Sequence, residues 1–152
     1  MPPLVIAIGG AVLLVFLLVL FVLGGGGWGG ERGPSGSAAS NAAPARDPDV
    51  VVERETRPEQ AAIYRLSGDM NPMHIDPDFA NKAGFPGPFN HGLCTFGTVG
   101  HSVLTAWCDG DVGRFASIEG RFADQVWPGD TIVTRIWDEG DHAIVEARTQ
   151  RD

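Results

Sequence analysis

The pattern of apolar and polar positions divides the chain into two unequal parts. Leu4 to Leu23 is a run of 20 residues without a charged or polar side chain, whereas apolar and charged residues alternate from Asp47 onward. A helix that crosses a hydrocarbon core of about 30 Å needs about 20 apolar residues, so residues 1–23 predict a single transmembrane helix. Residues 24–46 are rich in Gly, Ser, Ala and Pro, which predicts a flexible linker.

Three other interpretations of the apolar run stay open: a cleaved signal peptide, a buried core helix and a misassigned start of the reading frame. A signal peptide has a basic start, a shorter apolar core and a small-residue cleavage site, whereas no Lys or Arg precedes this run. Because Arg32, Arg46, Arg54 and Arg57 all follow it, the positive-inside rule favours a main domain on the cytoplasmic side. Without the anchor, we expect the protein to be cytoplasmic.

The main domain, residues 47–152, opens with a strand and a short helix. Asp49 to Glu55 is short and rich in β-branched residues, as is typical of a strand. Thr56 and Glu59 have the spacing of a capping box. This spacing predicts a helix that starts at Thr56 and runs through Leu66.

A second short helix and a long one follow. Asp76 before Pro77 is typical of an N-cap followed by the first helical residue, and Gly84 closes that helix. His91 to Cys108 is mostly apolar and lacks Pro, which predicts one long central helix. Glycine in a helix interior costs about 1 kcal/mol relative to Ala. The glycines of this helix therefore predict a close backbone approach; they are Gly92, Gly97 and Gly100.

The remaining segments predict antiparallel strands. Phe115 to Val126 is the first, Thr131 to Asp138 the second and His142 to Gln150 the third, with a tight turn at Glu139 to Asp141 before the last. A strand, a long helix and then a meander are typical of an α+β domain in which a curved sheet surrounds the helix.

Composition and charge narrow the possible functions. The 152 residues include 19 acidic and 11 basic ones, and the net charge of −8 argues against a nucleic-acid partner. The two cysteines exclude a disulfide scaffold and a four-cysteine zinc site. No metal site is expected, and the GGGG of the linker is not a nucleotide-binding loop.

The stretch that carries chemistry is YRLSGDMNPMHIDPDFA, Tyr64 to Ala80. It places Asp69, Asn71 and His74 within six residues of a loop that contains a turn. A carboxylate and a neutral imidazole that share a water form an acid/base pair near neutral pH, and the Asn71 amide can orient that water. Loop residues of these types are more often simply solvated, so the pattern alone leaves both interpretations open.

This stretch resembles the signature of the MaoC-like, or type 2, R-specific enoyl-CoA hydratases, YRLSGDxNPLHxDPxxA, with Met73 at the usual Leu position. The resemblance continues in AGFPGPFNHGLCTFG, Ala83 to Gly97, and in RFADQVWPGDTI, Arg121 to Ile132. It implies the hot-dog fold, a curved antiparallel sheet around one long helix. It also implies hydration of trans-2-enoyl-CoA to (R)-3-hydroxyacyl-CoA in fatty-acid metabolism.

The resemblance also implies roles for individual residues. Asp69 and His74 would be the catalytic pair, Asn71 their orienting neighbour, and the amide of Gly92 an oxyanion donor to the thioester oxygen. No cofactor is expected, because coenzyme A is part of the substrate. Three residues are weaker candidates for substrate binding: His91, Arg121 and Lys82.

Residues 47–152 resemble the C-terminal catalytic half of two-domain members. We therefore expect a homodimer that replaces the missing first half. Family members continue past the position of Asp152 into one last strand, so we expect the sheet to lack that strand. Besides a hydratase, two functions stay open: a thioesterase, and a catalytically idle hot-dog fragment that acts as a membrane-tethered interaction module.

Overall fold

Five strands form one sheet in the computed structural model, which describes residues 4–6 and 42–150. Their order across the sheet is β2-β4-β5-β1-β3. β2 pairs antiparallel with β4, and β4 antiparallel with β5, which confirms the three strands predicted from Asp49, Thr131 and His142. The strands are β1 (Leu4–Ile6), β2 (Val50–Glu55), β3 (Ile118–Glu119), β4 (Thr131–Asp138) and β5 (Ala143–Gln150).

Three α-helices accompany the sheet within the described residues: α1 (Gln60–Tyr64), α2 (Pro77–Lys82) and α3 (Gly92–Ala106). The long helix α3 is the one predicted from His91, and it contacts β2 and β4. Alternate residues of β4 point toward it, so that Ile132 and Ile136 are buried together with Val99 and Val103 of α3. This packing of a sheet against one long helix forms the core.

The segment 4–6 departs from the predicted transmembrane helix. Leu4–Ile6 forms β1, which lies between β5 and β3 and runs parallel to both. The sheet is therefore antiparallel only from β2 to β5. Residues 7–41, which contain the rest of the apolar run and most of the predicted linker, lie outside the described residues. Among those that are described, no helix has the length and apolar character needed to cross a membrane.

The last residue of the predicted linker is attached to the domain. Arg46 forms ion pairs with Asp49 at 2.7 Å and Glu139 at 3.2 Å. Its carbonyl oxygen accepts a hydrogen bond from the Trp137 indole N–H at 2.9 Å. These contacts hold the entrance of β2 against the turn between β4 and β5.

Two other local predictions are wrong. Thr56 does not cap a helix, because its hydroxyl donates to the carbonyl oxygen of Asp130 at 2.8 Å and accepts from the Gly129 amide at 3.0 Å. The first α-helix begins only at Gln60. Of the strand predicted over 115–126, only Ile118–Glu119 pairs within the sheet, since the following backbone bonds elsewhere, as in the hydrogen bond from the Asn90 amide to the Val126 carbonyl.

The glycines of α3 fit the predicted close approach only in part. A Cβ built on Gly92 would lie 3.3 Å from the Phe122 ring, which is tighter than most packing contacts. At Gly100 the neighbour is 3.7 Å away, and at Gly97 there is none within 4 Å. Close packing therefore constrains the first of the three, at the end of the helix that faces the candidate site.

Candidate active site

The loop between α1 and α2 is folded by its own short polar side chains. The Asp69 carboxylate accepts a hydrogen bond from the main-chain N–H of Asn71 at 3.2 Å. The side-chain oxygen of Asn71 in turn accepts a hydrogen bond from the main-chain N–H of Met73 at 3.1 Å. Such side-chain-to-backbone bonds two residues apart are Asx turns. They bend the loop into the 3₁₀ turn Pro72–His74. Asn71 thus has a structural role here, as the cap of that turn.

His74 lies at the end of this turn and points inward. Only 9% of it is exposed, and Nδ1 lies 2.8 Å from the carbonyl oxygen of Phe89. Because a carbonyl can only accept, the neutral ring carries its proton on Nδ1, and Nε2 keeps a free lone pair. The residue that fixes this tautomer is in the loop before α3.

Burial lowers the pKa of His74 below its ordinary value of 6.5. The hydrogen bond to Phe89 opposes this effect, nearby His91 adds to it, and the charge of Asp69 opposes it. The net lowering favours the neutral imidazole. His74 is therefore available as a base at neutral pH.

His91 joins the two candidate catalytic residues. Its ring lies on the His74 ring, with centroids 3.9 Å apart and planes tilted by 33°. Its Nε2 lies 3.2 Å from the main-chain oxygen of Asp69. Ligand atoms of Asp69, His74 and His91 all lie within 4.8 Å of one another. The structure thus brings the predicted pair together, with His91 in contact with both.

A carboxylate and two imidazoles can also bind a metal ion. However, Nδ1 of His74 already contacts the Phe89 carbonyl at 2.8 Å. The tautomer of His91 also uses one of its nitrogens for the Asp69 carbonyl. The geometry therefore favours acid/base chemistry on a water held near Asp69 and Nε2 of His74.

The start of α3 lies next to this cluster in the chain. His91 is the N-cap residue and Gly92 the first helical residue. The first four N–H groups of a helix have no partner within it, and the helix dipole places partial positive charge there. The Gly92 amide is therefore placed where it could donate to an oxygen that gains negative charge, and its oxyanion role stays a prediction.

Comparison with known proteins identifies the family. The family model for the MaoC like domain matches residues 39–151. The chain belongs to the MaoC-like family. Its sheet and long helix are the hot-dog fold predicted from the resemblance.

Several relatives of this MaoC-like chain are multifunctional enzymes. The peroxisomal hydratase-dehydrogenase-epimerase of Neurospora crassa is 47% identical over 138 residues, which cover 91% of this chain and 15% of that protein. The peroxisomal multifunctional enzyme type 2 of Mus musculus is 55% identical over 102 residues, covering 67% and 14%. The peroxisomal enoyl-CoA hydratase 2 of Arabidopsis thaliana is 44% identical over 117 residues, covering 77% and 38%. The chain thus spans well under half of these relatives.

Two solved structures share the fold. The full-length peroxisomal multifunctional enzyme type 2 of Drosophila melanogaster superposes with a TM-score of 0.64 at 38% identity, over 70% of this chain and 20% of that one. A MaoC-like dehydratase from Phytophthora capsici gives a TM-score of 0.61 at 37% identity, over 73% and 43%.

The remaining predicted site residues of this MaoC-like domain are Lys82 and Arg121. Lys82 is the last residue of α2, and Arg121 follows β3. Both are exposed, and neither forms an ion pair within residues 42–150. Their predicted contact with substrate phosphates stays a prediction.

Sequence reasoning missed two contributors to the site and one buried polar residue that precedes His91 in the chain. The Phe89 carbonyl orients His74, and a main-chain atom leaves no signal in residue identity. The Tyr64 ring packs on His91 with centroids 4.8 Å apart. Asn90 is 3% exposed, and its amide nitrogen and oxygen have no hydrogen-bond partner within the described residues. An Asn two residues before a helix leaves only a weak signal in the sequence.

Proposed function

We propose that this chain catalyses the hydration of trans-2-enoyl-CoA to 3-hydroxyacyl-CoA, and the reverse dehydration. The observation that carries the proposal is the convergence of Asp69 and His74 beside the N-terminus of α3. An acid/base pair and a set of N–H donors are the two elements that addition of water to an unsaturated thioester requires. The printed names of relatives, enoyl-CoA hydratases among them, support the same substrate class.

In the proposed reaction, Asp69 and His74 hold one water molecule. The water oxygen forms a bond to C3, one of its protons moves to the pair, and the electrons of the C2–C3 double bond shift toward the thioester. The resulting enolate then collapses, and the pair delivers a proton to C2. The product has gained H and OH, and the pair has returned to its initial state. The free Nε2 lone pair of His74 makes it the base in this scheme.

The enolate places negative charge on the thioester oxygen. The Gly92 amide donates to that oxygen in our proposal, because it is the first N–H group of α3 and carries the partial positive charge of the helix end. A preorganised donor of this kind contributes on the order of 10²–10³ in rate in other enzymes. The thioester would therefore span from this helix end to the acid/base pair.

The direct test is a spectrophotometric assay with crotonyl-CoA and the full chain. We expect the absorbance of the conjugated double bond to fall, and chiral chromatography to identify the (R)-3-hydroxy product. Saturated butanoyl-CoA is the matched control substrate, because only a thioesterase would release free coenzyme A from it. Release of free coenzyme A without hydration, or no turnover of either substrate, would contradict the proposal.

We also propose that the chain acts as a homodimer. The described sheet ends in β2 on one side and in the two-residue β3 on the other. Unpaired edges of this kind are templates for pairing with a second chain, and a two-fold pairing would extend the sheet symmetrically. Light scattering coupled to gel filtration would give about twice the chain mass of 16.1 kDa. An active species at the monomer mass would contradict this assembly.

A further inference from the structure

His91 is more deeply buried than either residue of the proposed pair. Only 1% of it is exposed, against 9% of His74, and Asp69 is exposed. Tyr64 and His74 pack on its ring. A residue so enclosed is poorly placed to meet substrate. Its contacts with the His74 ring and with the main-chain oxygen of Asp69 instead point to a role in holding these two residues in place.

The hydrogen bond of His91 connects its ring to the main chain of Asp69. Its Nε2 faces the main-chain oxygen of Asp69 at 3.2 Å, and this oxygen can only accept, so the ring donates from Nε2. Nδ1 is buried and has no partner within the described residues. The bond links the N-cap of α3 to the loop of the acid/base pair, 22 residues earlier in the chain.

We propose that His91 is a positioning residue whose hydrogen bond to the Asp69 carbonyl holds the catalytic loop in register with the Gly92 amide. The inference rests on the proposed function. His91 and Gly92 are adjacent, so this bond, together with the bond from His74 to the Phe89 carbonyl, ties the acid/base pair to the oxyanion donor. Small displacements of such groups are costly: a misplacement of about 1 Å can slow a reaction by roughly 10²-fold.

Two variants separate the hydrogen bond from the ring contact. His91→Gln places an amide N–H near the position of Nε2 and removes the ring. His91→Phe keeps a ring against His74 and Tyr64 and removes the donor. We expect Gln to retain kcat within about 3-fold and Phe to lower it by roughly 10- to 100-fold, with the KM for crotonyl-CoA within about 3-fold in both. His101→Gln is the matched control, because His101 lies exposed on the same helix.

Hydrogen–deuterium exchange of the peptide that contains residues 69–75 supplies a readout that does not depend on activity. We expect faster exchange in the Phe variant and near-wild-type exchange in the Gln variant. If the wild type does not hydrate crotonyl-CoA, the proposed function fails, and the exchange data still decide the positioning role. His91→Met, which also lacks a donor, replaces the Phe variant if that protein does not fold. Equal losses in Gln and donor-free variants, or a raised KM with unchanged kcat, would overturn the proposal.

Discussion

At the scale of single residues, the site depends on which atoms are left free after local hydrogen bonds form. His74 uses Nδ1 for the Phe89 carbonyl, so that Nε2 alone remains for chemistry. One carboxylate oxygen of Asp69 accepts a hydrogen bond from the main-chain N–H of Asn71. Its other oxygen and Nε2 of His74 are therefore the groups that we expect to act on water.

Removal of either group tests the proposed pair. We expect Asp69→Asn and His74→Ala each to lower kcat for crotonyl-CoA hydration by roughly 10²-fold or more, which is typical of a positioned acid or base. His142→Ala is the matched control, because His142 pairs with Asp141 away from the cluster. Circular dichroism would show whether the variants keep the fold. Near-wild-type turnover in either variant would remove that residue from the mechanism.

The pH dependence follows from the direction of the His74 shift. Burial lowers the pKa of His74 below 6.5, so the ring stays neutral, and able to accept a proton, to lower pH than a free imidazole. As the pH falls through the pKa of His74, the base is protonated and hydration is lost. We expect the acid limb of the kcat/KM profile to have its midpoint below 6.5. A midpoint above that value would contradict a buried neutral base.

At the scale of elements, the decisive feature is the junction between the loop of residues 85–91 and α3. This junction supplies the Phe89 carbonyl, the His91 ring and then the first helical amide, that of Gly92, within four consecutive residues. Helix geometry fixes the direction of the Gly92 N–H group. The Phe122 ring, which lies close to Gly92, limits how far this end of the helix can move. The junction as a whole therefore brings together the carbonyl that orients His74, the His91 ring and the Gly92 amide.

Gly92→Ala tests this junction. The added Cβ would lie 3.3 Å from the Phe122 ring, so either that ring or the helix end must shift. The better helix propensity of Ala, worth up to about 1 kcal/mol, offsets part of the packing cost. We expect a change of about 1 kcal/mol or less in the free energy of unfolding, with kcat lowered roughly 10-fold or more.

Gly97→Ala is the matched control for that variant. Nothing lies within 4 Å of a Cβ at Gly97, so the substitution should stabilise the helix by about 1 kcal/mol and leave kcat unchanged. The two unfolding free energies come from urea titration, and the rates from the crotonyl-CoA assay. Equal rates in the two variants would show that the position of the Gly92 amide does not matter.

At the scale of the whole molecule, the sheet is completed by a segment distant in the chain. β1 pairs with β5 on one side and β3 on the other, and Val5 lies opposite both Ile144 and Glu119. A strand paired on both sides uses the N–H and C=O groups of its neighbours, which would otherwise form open edges. Residues 4–6 therefore connect the short strand β3 to the rest of the sheet.

Val5→Pro tests the contribution of β1. Proline lacks the N–H group and disrupts a ladder that is paired on both sides. We expect the free energy of unfolding to fall by about 1–3 kcal/mol, comparable with the loss of one or two ladder hydrogen bonds. Val5→Thr is the matched control, since it keeps the N–H group and the β propensity. Equal stability of the two variants in urea titration would show that β1 does not contribute to the folded sheet.

The sequence by itself determined the elements whose signals are local. Asp76 caps α2, and its carboxylate accepts hydrogen bonds from the amides of Asp78 and Phe79. β4 spans the predicted residues, and α3 begins one residue after the predicted start. The sequence motif also identified Asp69 and His74, the two residues that lie close to His91 in the structure. Caps, period-two alternation and long apolar helices depend on near neighbours, so they are readable along the chain.

Only the tertiary structure decided the features that depend on partners distant in sequence. Thr56 has the sequence pattern of a helix cap, but its hydroxyl donates a hydrogen bond to the Asp130 carbonyl instead. The apolar residues 4–6 were equally suited to a helix or a strand, and the free edges of β5 and β3 provided backbone partners for a strand. The roles of His91 and the Phe89 carbonyl likewise arise only where loop and helix meet. Backbone groups must be paired when they are buried, and which group pairs them is a property of the fold.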